Sequence, residues 1–226
     1  MEANNLPINL ASYVDATLLR PEATEEEVVE LCLKAKAFTT AAVCVNPCRL
    51  PLAAEILRDS PVLPCTVVGF PLGSVCTDLK IQEIDWALNH GAKEIDMVMN
   101  VGWFKDQNYI KVAEEVRLAA NLVKAAGAKL KVIVETSLLD KEELRKACIV
   151  VREGGADFIK TSTGFGSRGV SLEDVVLIRQ TVGDALKIKA SGGIRTRDFA
   201  LRLIKAGADR LGTSSITQIL MEQEEP

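Results

Sequence analysis

The sequence predicts an α/β fold closed into a (β/α)8 TIM barrel, and three observations carry that reading. Short β-branched or apolar runs alternate with longer stretches of helical period. Eight such pairs fit into 226 residues, a length at which a closed barrel is favoured over an open doubly wound sheet. One αβ turn also recurs in HGAKEIDMVM, EGGADFIKTS and KAGADRLGTS: a helix end, Gly-Ala, a charged residue, then a strand. Glycine stands there where a left-handed residue closes a helix. Finally, no linker or low-complexity stretch divides the chain. Residues 1–226 therefore read as a single TIM-barrel domain, with 1–10 and 222–226 as frayed ends.

The elements follow in order. A first strand is predicted at Tyr13–Thr17. Thr24, an N-cap type followed by acids, opens a helix over Glu25–Ala37. A strand at Ala41–Val45 leads through Pro51 to a helix at Leu52–Arg58, and a strand at Leu63–Gly69 leads to a helix at Val75–Asn89. After a strand at Glu94–Met99, the stretch NVGWFKDQN reads as a loop before a helix at Tyr109–Ala126. A strand at Lys131–Glu135 precedes Asp140, which with Glu143 has capping-box spacing and opens Lys141–Arg152. A strand at Asp157–Thr161 is followed by Ser171 and a helix at Leu172–Val182. A strand at Leu186–Ala190 is followed by Thr196 and a helix at Arg197–Ala206. The last strand is Arg210–Gly212, with a helix starting near Ser214.

Composition narrows the function. The net charge is −4 with no basic tract, which argues against nucleic acid or an anionic membrane surface as partner. No apolar run approaches the ~18 residues of a membrane span. The start, MEANNLPINL, lacks a basic region and a long apolar stretch, so a cytoplasmic protein is expected. The six cysteines form no CxxC pair and read as reduced core or pocket thiols. His90 is the only histidine and sits where a helix C-cap is expected, which leaves little for metal or Ser–His chemistry. Chemistry must then rest on Lys, Asp, Glu, Cys or Arg. Trp86 reads as packing; Trp103 and Phe104 are candidates for an interface of a homo-oligomer.

Active sites of such barrels lie at the C-terminal ends of the strands. Polar residues late in the predicted strands are Asp15, Thr17, Cys44, Asn46, Asp96, Asn100, Glu135, Lys160 and Lys189. Lys160 and Lys189 fall on successive strands, ~5 Å apart. Like charge and burial both disfavour the ammonium form, so one amine is expected to be neutral and nucleophilic. Asp15 and Asp96 would keep the other charged and move protons. The alternative is that both lysines are ion-paired structural residues at the rim. Three Gly-rich loops, TSTGFGSRG, SGGIR and GTSS, follow the last three strands and suit a phosphate.

These residues carry a resemblance. VDATLL, AAVCVNP, VVGFPLG, EIDMVMN, KVIVET, ADFIKTSTGFG, KASGGIRT and RLGTSS, in this order, resemble the 2-deoxyribose-5-phosphate aldolases, class I aldolases on a TIM barrel. The resemblance runs from about Tyr13 to Leu220. It implies Lys160 as the Schiff-base nucleophile, Lys189 as the lysine that keeps it unprotonated, Asp96 in a proton relay through water, and Asp15 orienting Lys189. It implies phosphate contacts at Gly164, Gly192, Gly193, Ser214 and Ser215, with Thr163 and Cys44 lining the pocket. The implied reaction cleaves 2-deoxy-D-ribose 5-phosphate to acetaldehyde and D-glyceraldehyde 3-phosphate, with no metal or organic cofactor. Its partners would be small phosphosugars and aldehydes.

Two departures from the family stand out. Phe165 replaces the lysine that some members carry after the TSTG glycine, leaving Arg168 or Arg195 to meet the phosphate charge. The tail MEQEEP has no tyrosine where some members have one, so proton exchange would rest on Asp96, Lys189 and water. Two other readings remain at this point: a Schiff-base aldolase or transaldolase for another sugar phosphate, and a non-catalytic sugar-phosphate-binding barrel.

Overall fold

The computed structural model describes residues 9–221, which include a closed barrel of eight parallel strands in sequence order. The strands are β1 (Val14–Leu18), β2 (Ala42–Val45), β3 (Leu63–Val68), β4 (Glu94–Val98), β5 (Lys129–Ile133), β6 (Phe158–Lys160), β7 (Lys187–Ser191) and β8 (Arg210–Thr213). The helices are α1 (Glu25–Phe38), α2 (Leu50–Leu57), α3 (Thr77–Asn89), α4 (Val101–Lys105), α5 (Tyr109–Ala125), α6 (Lys141–Glu153), α7 (Leu172–Val182), α8 (Arg197–Lys205) and α9 (Ile216–Met221). The barrel closes where Val14, Asp15 and Ala16 of β1 pair with Leu211, Gly212 and Thr213 of β8. Except for Asn9 and Leu10, the expected frayed ends lie outside the described residues. Leu10 is buried and opens a 3-10 turn that takes in Tyr13, which moves the start of β1 to Val14.

Local chemistry explains the helix starts. Thr24, Asp140 and Ser171 each form a full capping box, with Glu27, Glu143 and Asp174 respectively. Each such cap contributes about 1 kcal/mol by satisfying free N–H groups. The repeated αβ turn has one cause. Gly91, Gly155 and Gly207 all have positive φ, of 97°, 80° and 114°. Gly127, at φ 69°, makes a fourth copy in AAGAKLKV. His90 caps α3 as expected; its Nδ1 meets the Trp86 carbonyl at 2.7 Å and its ring stacks on Trp86 at 4.1 Å.

Several expectations need correction. The stretch NVGWFKDQN is not all loop. Asn100 caps the short α4 by accepting from the Trp103 N–H at 3.0 Å. Phe104 faces inward, 1% exposed and against Tyr109, so it is no interface residue. Trp103 is half-buried with Lys111 Nζ 3.6 Å above its ring. Cys48 and Cys76 are exposed, while the other four thiols are buried. Strand β5 ends at Ile133, not at Glu135, because Glu135 turns into the left-handed region with φ 54°.

Two apolar layers hold the barrel. The outward residues of the strands, among them Val43, Ile95, Met97, Leu130, Val132, Ile159, Ile188 and Leu211, pack under the helices. Inside, a small apolar cluster of Leu19, Ala42, Cys44, Cys65 and Val67 fills only the β2–β3 side. The rest of the interior holds mostly charged residues, with Val98, Ile133 and Phe158 buried among them on the same inward parity.

The loops after β6 and β7 touch through glycine. A Cβ on Gly169 would lie 2.1 Å from the Gly192 carbonyl oxygen, whereas one on Gly127 would meet nothing within 4 Å. Gly169→Ala is therefore expected to cost about 1–3 kcal/mol by forcing backbone apart. Gly127→Ala should cost only about 1 kcal/mol of left-handed strain. Urea midpoints of the two variants test the order, and equal midpoints would refute it.

Candidate active site

Alternate residues of each strand face the barrel axis. On the inward parity lie Asp15, Glu94, Asp96, Lys131, Lys160, Lys189 and Arg210, all buried. Together they form a ring of charges. Asp96 Oδ2 accepts from Lys189 Nζ at 2.7 Å, and Lys189 also donates to Asp15. Asp15 Oδ1 accepts from Arg210 Nη1 at 2.6 Å, and Arg210 reaches Glu94 at 3.2 and 3.3 Å. Glu94 pairs with Lys131 at 2.6 Å, and Lys131 returns to Asp96 Oδ1 at 2.8 Å. Three carboxylates thus alternate with three cations in a closed circuit. Lys160 hangs from it by one contact, Nζ to Asp96 Oδ2 at 2.7 Å.

Burial works against the charges of Asp15, Asp96, Lys131, Lys189 and Arg210, but their neighbours outweigh it. For Asp96, burial pushes the carboxyl up; Lys131, Lys160 and Lys189 hold it well below the usual range. Asp15 is likewise held low against burial by Lys189, Lys131 and Arg210. Burial works against the charge of Lys189, yet Asp15 and Asp96 keep its ammonium above the ordinary lysine range. The same balance, with Asp96, Cys65 and Glu94, raises Lys131. Lys160 and Lys189 are register partners on adjacent strands, and two carboxylates, Asp15 and Asp96, face Lys189. Gly212 makes room for it, since a Cβ there would lie 3.1 Å from Lys189 Cε.

Above the ring lies a cavity of about 380 Å³, lined by Lys160, Thr163, Gly164, Gly192, Gly193 and Ser214, with Arg20, Arg195 and Phe165 also on its wall. Gly164, Gly192 and Gly193 have φ of 90°, 89° and 76°, conformations that favour glycine. Among the described residues, no protein acceptor takes the N–H of Gly164, Gly192, Gly193 or Ser214. Peptide N–H groups of this kind suit an anion. A larger groove of about 750 Å³ runs between α6 and α7, away from the buried lysines.

Some predicted residues fall elsewhere. Cys44 is fully buried beside Asp96, with Sγ 3.9 Å from Oδ2, and lies beneath the cavity rather than on its wall. The Ser215 N–H is taken by Thr213 Oγ1 at 2.9 Å, and Ser215 is not on the wall. Thr163 is on the wall, but its hydroxyl donates to Glu135 Oε2 at 2.5 Å and accepts from the Phe165 N–H at 3.0 Å. Arg168 is tied to Asp174 and the Thr136 carbonyl, so Arg195 alone of the two expected arginines lines the cavity. Cys44, Cys65 and Asp96 place ligand-type atoms within 4.8 Å of one another. Three lysine amino groups already occupy both Asp96 oxygens, so the set fits a cation poorly. Sequence reasoning missed Glu94, Lys131 and Arg210. The available signal was parity: Glu94 stands two residues before Asp96 and Arg210 two before Gly212 on the inward face, while Lys131 is the register partner of Asp96.

Comparison with known proteins agrees with this architecture. A family model described as DeoC/LacD family aldolase matches residues 10–216. A deoxyribose-phosphate aldolase of Desulfitobacterium hafniense is 50% identical over 213 residues, covering 94% of this chain and 98% of the relative. Among solved structures, "QR15, an Aldolase" superposes with a TM-score of 0.90 at 44% identity, covering 95% of each chain. The deoxyribose phosphate aldolase of Aeropyrum pernix, described as a tetramer, has a TM-score of 0.88 at 35% identity over 94% of this chain and 89% of its own. With the model matched across almost the whole barrel and half the residues shared with a full-length relative, the chain belongs to the DeoC/LacD family of aldolases.

Proposed function

We propose that this aldolase reversibly cleaves 2-deoxy-D-ribose 5-phosphate to D-glyceraldehyde 3-phosphate and acetaldehyde through a Schiff base on Lys160. The carrying observation is the position of Lys160: it is the fourth cation on a ring already balanced by three, and it lines the cavity floor. Removing its proton leaves three cations against three carboxylates, so a neutral amine there costs the buried network no charge imbalance. The name of the relative from Desulfitobacterium hafniense supports deoxyribose phosphate as substrate.

In this reading the Lys160 Nζ lone pair attacks the C1 aldehyde of the open-chain sugar, and the carbinolamine loses water to give an iminium. Asp96, through a water, takes the proton from the C3 hydroxyl. The C2–C3 bond then breaks, its electron pair moving into the iminium to form an enamine, while C3 leaves as the aldehyde of glyceraldehyde 3-phosphate. A proton returned to C2 regenerates an iminium, and water hydrolyses it to acetaldehyde and free Lys160. Lys189, held charged between Asp15 and Asp96, supplies the positive potential that favours the unprotonated neighbour. The N–H groups of Gly164, Gly192, Gly193 and Ser214 and the Arg195 side chain meet the phosphate. The homo-oligomer reading draws support from the tetrameric Aeropyrum pernix relative.

Borohydride reduction after incubation with acetaldehyde should leave an ethyl group on Lys160 in the peptide map. A label absent from Lys160, or scattered over surface lysines, would remove the Schiff base. Lys160→Ala should lower kcat at least about 10³-fold, because the electron sink is gone. Lys189→Leu leaves the ring with two cations for three carboxylates, so Lys160 keeps its proton to balance Asp96. Turnover and trapping yield at neutral pH should then both fall, by about 10²-fold; undiminished trapping would contradict the assigned role of Lys189.

A further inference from the structure

Glu135 stands outside the charged ring and has no part in the chemistry above, yet it is a buried carboxylate on a left-handed backbone. A non-glycine residue adopts φ 54° only when its surroundings fix it. Here the surroundings are β6 on both sides: the Val134 N–H donates to the Lys160 carbonyl at 3.0 Å and the Thr136 N–H to the Thr161 carbonyl at 2.8 Å. The chain between them is thereby bent so that the side chain reaches the loop after Lys160. Its Oε2 accepts from the Thr163 N–H at 3.1 Å and from the Thr163 hydroxyl at 2.5 Å, and its Oε1 from Ser137 Oγ at 2.8 Å. The next glycine but one sits directly on this clasp. A Cβ at Gly166 would lie 2.8 Å from Glu135 Oε1 and 2.5 Å from Ser137 Oγ.

We propose that Glu135 is a positioning residue for the phosphate end of the substrate. Resting on the phosphosugar reading above, it fixes the Thr163–Phe165 turn, and so places the Gly164 N–H at the cavity wall, without touching substrate. The geometry gives it both ends of one residue: the peptide N–H of Thr163 sets the loop's height, and the hydroxyl sets its rotation. The hydroxyl in turn accepts the Phe165 N–H at 3.0 Å. Gly164 is therefore held between two anchored neighbours. The far side of the same loop has its own anchor, Arg168 to Asp174 and to the Thr136 carbonyl, so loss of Glu135 frees the cavity side alone.

The test compares Glu135→Ala and Glu135→Gln with the parent on 2-deoxyribose 5-phosphate and on unphosphorylated 2-deoxyribose. For Glu135→Ala, KM for the phosphate ester should rise about tenfold or more, as for loss of charge-assisted hydrogen bonds. Its kcat, and its KM for the free sugar, should stay within about threefold of the parent. Glu135→Gln should restore most of the affinity, because its amide oxygen still accepts from Thr163. A loss of equal size on both sugars, or no change on either, would overturn the proposal. If Glu135→Ala fails to fold, Glu135→Asp decides, since it keeps the charge but draws the carboxylate back from Thr163 by one methylene. A selective rise in KM for the ester is expected, and its absence counts against Glu135. Should the parent itself bind both sugars equally, the phosphate subsite is wrong and the role of Glu135 falls with it; that outcome is visible without any variant.

Discussion

Asp96 is the point on which the barrel interior turns. Its two oxygens receive three lysine amino groups, and through Lys189 and Lys131 they join Asp15, Arg210 and Glu94 into one circuit. Charges this deep survive only when paired, because desolvation of a single buried ion costs several kcal/mol. Each member therefore depends on its neighbours: removing one carboxylate leaves two ring cations with a single carboxylate partner each in the circuit. The network fixes side-chain positions within the barrel more tightly than an apolar filling would, since a hydrogen-bonded ion pair has direction as well as distance.

Such a circuit requires a closed barrel. Asp15 and Arg210 meet across the β1–β8 seam, and Asp96 on β4 meets Lys189 on β7 across the interior. An open sheet would leave these partners at opposite ends and one face wet. Closure in turn depends on the apolar layer between strands and helices, where Ile95, Val132, Ile159 and Ile188 exclude water from behind the charged residues. The apolar cluster at β2–β3 fills one side of the interior beside the circuit, with Cys65 bridging the two by donating to Asp96 Oδ1 at 3.3 Å.

The fold was legible because its signals are local and periodic. The αβ turn with a left-handed glycine, the three capping boxes and the strand alternation all lie within a few residues of each other. The catalytic candidates Lys160, Lys189, Asp96 and Asp15 were legible as charges late in apolar strands, and the structure brings them together. Lys131 and Arg210 were not, because each stands near the start of its strand, where a charge usually faces solvent, as Lys129 does. Only the strand pairing shows that Lys131 is the register partner of Asp96 and Arg210 that of Lys189. The commitments of Thr163, Ser215 and Arg168 were equally invisible: a hydroxyl, an N–H or a guanidinium in a Gly-rich loop reads as available until its partner is placed.

The two ends of the cavity are built on different principles. The lysine end rests on fixed charge, deep in the barrel and insensitive to loop detail. The glycine end rests on peptide geometry, with Gly169 against Gly192 and Glu135 beneath Thr163. They are joined by the short run from Lys160 to Gly164, whose backbone is hydrogen-bonded at Lys160, Thr161 and Thr163. Because that run is rigid, the distance between the two ends is a property of the backbone rather than of any flexible side chain. In the proposed reaction the phosphate, once seated, would present the carbonyl carbon to Lys160 at a set distance, so affinity at one end is converted to orientation at the other.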